Sequence, residues 1–92
     1  MLEYRVGDKV RIKNKKWYDS LKNYSGEING DIVAFGFNIE MSRYCGMVGI
    51  ITKAIDTFYR DKKRKKYFLD IDHGQWNWSE CMFDLYNILE IE

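Results

Sequence analysis

The chain of 92 residues has no proline, a single histidine and two cysteines. Without proline there is no polyproline segment and no proline-set turn. The lone His73 and the cysteines Cys45 and Cys81 show no C-x-x-C spacing. Structural zinc draws on four ligands in short paired spacings, so the sequence implies no metal and no cofactor. No stretch reaches the roughly 18 apolar residues of a membrane span, so no membrane partner is expected. Met1-Leu2-Glu3-Tyr4-Arg5 lacks the apolar core of a signal peptide and carries an early acid. A cytoplasmic location follows as the expectation, with Cys45 and Cys81 as free thiols. Glycine-rich phosphate loops are also missing.

What is present suits one globular domain over residues 1–92. Hydrophobic residues make up 46% and charged residues 32%, which argues against disorder. A chain of this length holds a net stability of only about 5–14 kcal/mol. The formal charge of +1 hides a strong segregation. Residues 5–16 hold Arg5, Lys9, Arg11, Lys13, Lys15 and Lys16 against Asp8. Residues 60–66 hold Arg60, Lys62, Lys63, Arg64, Lys65 and Lys66 against Asp61. From Tyr67 onward there is no Lys or Arg, while Asp70, Asp72, Glu80, Asp84, Glu90 and Glu92 are all acidic. Local basic patches attract anionic partners even when the net charge is near zero.

Hydrophobic periodicity points to short strands and one brief helix. After a Gly7-Asp8 turn, Lys9 to Lys13 alternates, with Val10 and Ile12 inward. Residues 14–30 lack a period and read as a long polar loop carrying Trp17, Tyr18 and Tyr24. Asp31 to Phe35 is either a strand or a tucked segment. Asn38 as N-cap, with Glu40 in the first turn and Gly46 as stop, predicts a helix between 38 and 46. Met47 to Lys53 reads as a strand whose Gly49 permits a bulge or close approach. Thr57-Phe58-Tyr59 and Tyr67 to Ile71 flank the basic run 60–66, read as a hairpin connection. Trp76 to Ser79 and Cys81 to Tyr86, through Met82, Phe83 and Leu85, complete the set. The expected core is Val10, Ile12, Val48, Ile51, Leu69, Ile71, Trp78 and Met82.

Catalytic and metal-binding constellations are thin. Asp70-x-Asp72-x-Gly74 opens like a calcium loop, but a loop begun at Asp70 places Gln75 sixth and Cys81 twelfth, where glycine and glutamate are needed. A Cys–His pair has no recognisable local signature, so the chain is read as no enzyme. Aromatics are the informative set. Trp17 and Tyr18 follow Lys15-Lys16, and exposed aromatics beside cations suit either base stacking or a protein hot spot.

Gly7-Asp8-Lys9-Val10-Arg11-Ile12, Phe37 to Met41, Tyr44-Cys45-Gly46, Gly49-Ile50-Ile51, Tyr67 to Asp72, Trp76-Asn77-Trp78 and Met82 together resemble small SH3-like barrel proteins of bacteriophages and mobile elements. Gly46-x-x-Gly49-x-Ile51 after Gly7-Asp8-x-Val10 is also similar to KOW-type barrels. The resemblance implies a mainly β fold, a small SH3-like barrel of five or six short strands with one short helix. It further implies a phage-related binding module in the cytoplasm of a bacterial host cell. On that reading the protein occupies a host protein surface, as an inhibitor of a defence system of the anti-CRISPR kind does. Nucleic-acid binding through segments 5–16 and 60–66 is the alternative. The expected partner surface is Lys15, Lys16, Trp17, Tyr18, Arg60, Lys62, Lys63 and Arg64, on a monomer or weak homodimer.

With no metal implied, EDTA is expected to leave the thermal unfolding midpoint unmoved, and a loss of far-UV circular dichroism on chelation would overturn that expectation.

Overall fold

In the computed structural model, which describes residues 4–84, the longest strand serves two partners. Strand β1 spans Lys9–Arg11, β2 Val48–Tyr59 and β3 Lys62–Leu69. They form an open antiparallel sheet in the order β1-β2-β3. The start of β2 pairs with β1, Val10 opposite Gly49, and the remainder pairs with β3. A register shift between Ile51 and Lys53 separates the two pairings and lets the strand bend. One α-helix, α1 over Lys15–Leu21, and two 3-10 turns, Met41–Tyr44 and Glu80–Met82, complete the fold. Among the described residues no helix is long and apolar enough to cross a membrane.

The fold is mainly β, but the described residues form three strands where five or six were expected. Trp78 and Phe83 do pair, each through a single bridge: Trp78 with Tyr67, and Phe83 with Ile12. The 3-10 turn between them occupies the backbone that a longer ladder would use. Leu85 and Tyr86, expected in the last strand, lie outside the described residues.

Two helical expectations also change. Asn38 Oδ1 accepts from the Met41 amide at 2.9 Å, but the helical turn begins only at Met41, with Glu40 as its N-cap. The turn stops at Tyr44, because Cys45 leaves the helical region at ψ 129° and Gly46 takes φ +84°. The true α-helix lies inside the expected loop. Asn14 Oδ1 accepts from the Trp17 amide at 2.9 Å, and Trp17, Tyr18 and Leu21 turn one face to the core. Exposed pairs from Asp19 to Lys15 and Lys22 add little. So short a helix is held by packing.

Of the expected core, Val10, Ile12, Ile51, Leu69, Trp78 and Met82 are fully buried. Ile71 is half-buried, and Val48 is 43% exposed. The reason is Gly49. It takes the inward position opposite Val10, where a β-carbon would come within 3.4 Å of the Ile71 and Asp70 side chains, so Val48 and Ile50 face outward. Phe37 sits at the hub of an aromatic cluster. Its ring centroid lies 5.3 Å from Trp17, 5.6 Å from Tyr18 and 6.0 Å from Trp78. Asp72 is buried yet fully engaged, accepting from the Trp78 indole N–H at 3.1 Å and from the Gly74 and Trp76 amides.

Leu69→Ala is expected to lower stability by about 2–5 kcal/mol. Asp72→Ala, which orphans the buried Trp78 indole donor, is expected to cost more than about 2 kcal/mol. Urea unfolding followed by tryptophan fluorescence measures both, and an unchanged midpoint for either variant would contradict the packing described.

Candidate binding surface

The basic run 60–66 is a strand rather than a hairpin tip. Only Arg60 and Asp61 make the turn, both with positive φ (54° and 67°), as the two-residue type I′ connection requires. The chain then returns directly as β3, because lysines and arginines extend readily beside the aromatic and β-branched side chains of β2. Directly opposite residues of an antiparallel pair share a face. One face of the β2–β3 ribbon therefore holds Lys53 with Phe68, Ile55 with Lys66, Thr57 with Arg64 and Tyr59 with Lys62. That face carries four cations and no carboxylate. Lys62, Arg64 and Lys66 follow one another along β3 at about 7 Å, two strand residues per step.

The opposite face is partly neutralised and ends in an exposed ring. Lys65 pairs with Asp56 at 3.0 Å, and the hydrogen bond and charge of Lys65 hold the Asp56 carboxyl below its ordinary range. Lys63 lies opposite Phe58, which is 74% exposed. Ala54 and Tyr67, one rung inward from the Asp56–Lys65 pair, mark where the core begins.

A loop leans on the basic face. Ile28 and Phe37 exchange two backbone hydrogen bonds, 2.8 and 3.1 Å, closing residues 29–36 into a compact projection. Phe35 at its end has φ +72°, a left-handed backbone that non-glycine residues rarely adopt. Its ring centroid is 5.1 Å from Tyr59, and the Lys66 ammonium lies 5.5 Å above it. Arg60 pairs with Asp31 and stacks its guanidinium 5.4 Å from the Tyr59 ring. Gly30 is needed here, since a β-carbon at that position would collide with the Tyr59 hydroxyl. Between this loop, Met41, Arg60 and Trp76-Asn77 lies a groove of about 510 Å³.

The eight sequence-derived site residues fall into two groups with different neighbours. Lys15 and Lys16 are exposed on α1, Lys15 pairing with Asp19. Trp17 and Tyr18 do not form the exposed anchor expected of them. Trp17 is half-buried edge-on against Phe37, and Tyr18 is 2% exposed with its hydroxyl donating to the Gly26 carbonyl at 2.6 Å. Arg60, Lys62, Lys63 and Arg64 belong to the ribbon and its turn, with partners on β2 and Asp31. Lys66 was counted in the basic segment 60–66, whereas Lys53, Phe58, Phe35 and Trp76 were not assigned to the surface from sequence. A signal for Lys53 and Phe58 was present: the basic run continues without a break into Tyr67-Phe68-Leu69, so Arg60-Asp61 alone is left for the turn and β2 must pair with the run.

No cluster of three or more His, Cys, Asp or Glu residues able to hold a metal occurs among the described residues. Both cysteines are free and half-buried. Burial pushes the Cys45 thiol up, an effect that Lys15 opposes and Asp19 reinforces. His73 sits exposed in a tight turn at φ +58°. Compared with known proteins, the chain matches no family model, no curated protein and no solved structure.

A thiol raised in this way reacts slowly, because the thiolate is the nucleophile. At mildly alkaline pH, iodoacetamide is expected to label native Cys45 more slowly than the urea-unfolded chain, as read by mass spectrometry. Faster labelling in the native state would reveal an activated cysteine.

Proposed function

We propose that the protein is a non-catalytic binding module, a small SH3-like barrel that grips the phosphate backbone of a nucleic acid with one face of the β2–β3 ribbon. The single observation that carries this reading is the carboxylate-free face bearing Lys53, Lys62, Arg64 and Lys66. Cations at strand spacing track successive phosphates, and a two-stranded ribbon is a recognised element for entering nucleic-acid grooves. The chain of pairings supports the barrel topology: β1 with β2, β2 with β3, Tyr67 with Trp78, and Phe83 back to Ile12. The acidic residues Asp70, Asp72, Glu80 and Asp84 lie outside the ribbon.

A second reading, occupation of a host protein's surface by an inhibitor, has one observation in its favour. Phe58 stands exposed on the other face, opposite Lys63, and an aromatic anchor beside a cation suits a protein hot spot. The phage-related class comes from sequence resemblance, and the defence-system target goes a step beyond it. Trp17, packed on Phe37, does not supply that anchor.

Four phosphate contacts to a single strand give a salt slope of about −2.8, so affinity is expected to fall about fiftyfold between 50 and 200 mM salt, order-of-magnitude values from counterion release. Lys62→Ala combined with Arg64→Ala is expected to bring the slope to about −1.4. Fluorescence anisotropy with a labelled oligonucleotide measures both. Binding that ignores salt but is lost in Phe58→Ala would establish the protein-surface reading instead.

A further inference from the structure

The groove adjoins the basic face through two lining residues that touch it. Phe35 lines the groove and carries the Lys66 ammonium over its ring. Arg60 lines the groove and lies against Tyr59, which pairs with Lys62. A strand whose phosphates follow Lys62, Arg64 and Lys66 therefore passes the mouth of the groove. Resting on the nucleic-acid reading above, we infer that this groove receives one unpaired nucleobase, so that the partner is single-stranded.

The lining has the chemistry of a base rather than of an anion. The half-buried rings of Phe35 and Trp76 offer flat apolar surface on which a ring stacks, with buried Met41 behind them. Asn77 is exposed at the edge with an amide that both donates and accepts. Glu27 also lines the groove, and its carboxylate repels a phosphate or an acidic side chain while accepting from the exocyclic amine of a base. Charge thus divides the surface: phosphates are drawn to the ribbon and a neutral, amine-bearing ring to the groove. A base still paired and stacked in a duplex does not present its faces to such a site. The left-handed backbone at Phe35 fits this role, since a strained residue persists only where its surroundings over-determine it. Here the Ile28–Phe37 bridge does so, holding the ring between groove and ribbon.

The test compares three labelled probes of equal length at one low salt concentration: a mixed-base DNA strand, its duplex, and a strand of abasic sites. The mixed-base strand is expected to bind about tenfold or more tightly than the abasic one, within the range one stacked base contributes. It is also expected to bind more tightly than the duplex. Trp76→Leu should remove most of the difference between base-bearing and abasic strands. Trp76 also packs against the core, so Asn77→Ala at an exposed position, which removes the amide without changing charge, serves as the second variant. It should weaken the base-bearing strand more than the abasic one. Equal binding of abasic and base-bearing strands, with the salt slope intact, would overturn the groove assignment and leave the phosphate-binding ribbon standing. Failure of every nucleic-acid probe, with binding only to polyglutamate, would overturn both.

Discussion

A buried carboxylate holds the second half of this fold in place. Asp72 is 2% exposed, and its two oxygens accept from two amides of its own turn and from the indole of Trp78. An ionised group removed from water is tolerated only when its lone pairs are satisfied. All of this satisfaction comes from residues 74–78, so the turn closes in one way. That closure sets Trp78 beside Tyr67, where the two residues exchange backbone hydrogen bonds of 2.8 and 2.9 Å. Backbone bonds from His73 to Asp70 and from Gly74 to Leu69 turn the chain, and the Asp72 side chain fixes where Trp76 and Trp78 follow.

From Trp78 the order passes through rings. Trp78 packs on Phe37, Phe37 meets Trp17 and Tyr18, and α1 is thereby seated. Edge-to-face pairs contribute about 0.5–1.5 kcal/mol each beyond burial. Their geometric effect matters more. Phe37 pairs with Ile28, so placing Phe37 also places the loop 29–36, and Phe35 and Arg60 then define one wall of the groove. The surface assigned to binding is thus held in place from the core outward.

Much of this was legible in the sequence. Alternation at Lys9 to Lys13 identified an inward Val10 and Ile12, and the apolar residues Ile51, Leu69, Trp78 and Met82 are buried as their patterns required. The departures have physical causes. Val48 looked inward because its neighbours are apolar, but a glycine can occupy the inward position when another side chain fills its space, as Ile71 does at Gly49. Residues 14–30 looked aperiodic because a seven-residue helix spans barely two turns, too few to display a period. The cap spacing from Asn14 to Trp17 was the available sign. In the basic run, charge concealed strand character, since a surface strand far from the core needs no inward hydrophobe. The groove was not legible, because its walls come from separate stretches around residues 27–41, 60 and 76–77 that only the fold assembles.

The ribbon outlasts the core it grows from. Beyond Ala54 and Tyr67, no residue of β2 or β3 out to the Arg60–Asp61 turn is fully buried. Cohesion and recognition therefore occupy different stretches of the same two strands. Substitutions among residues 56–65 alter what the protein meets while leaving the aromatic centre and the Asp72 turn as they are. In evolutionary terms the outer rungs are free to drift, apart from Tyr59 and Arg60, which anchor the loop 29–36: the other exposed side chains can be rewritten without disturbing the packing that keeps the chain folded.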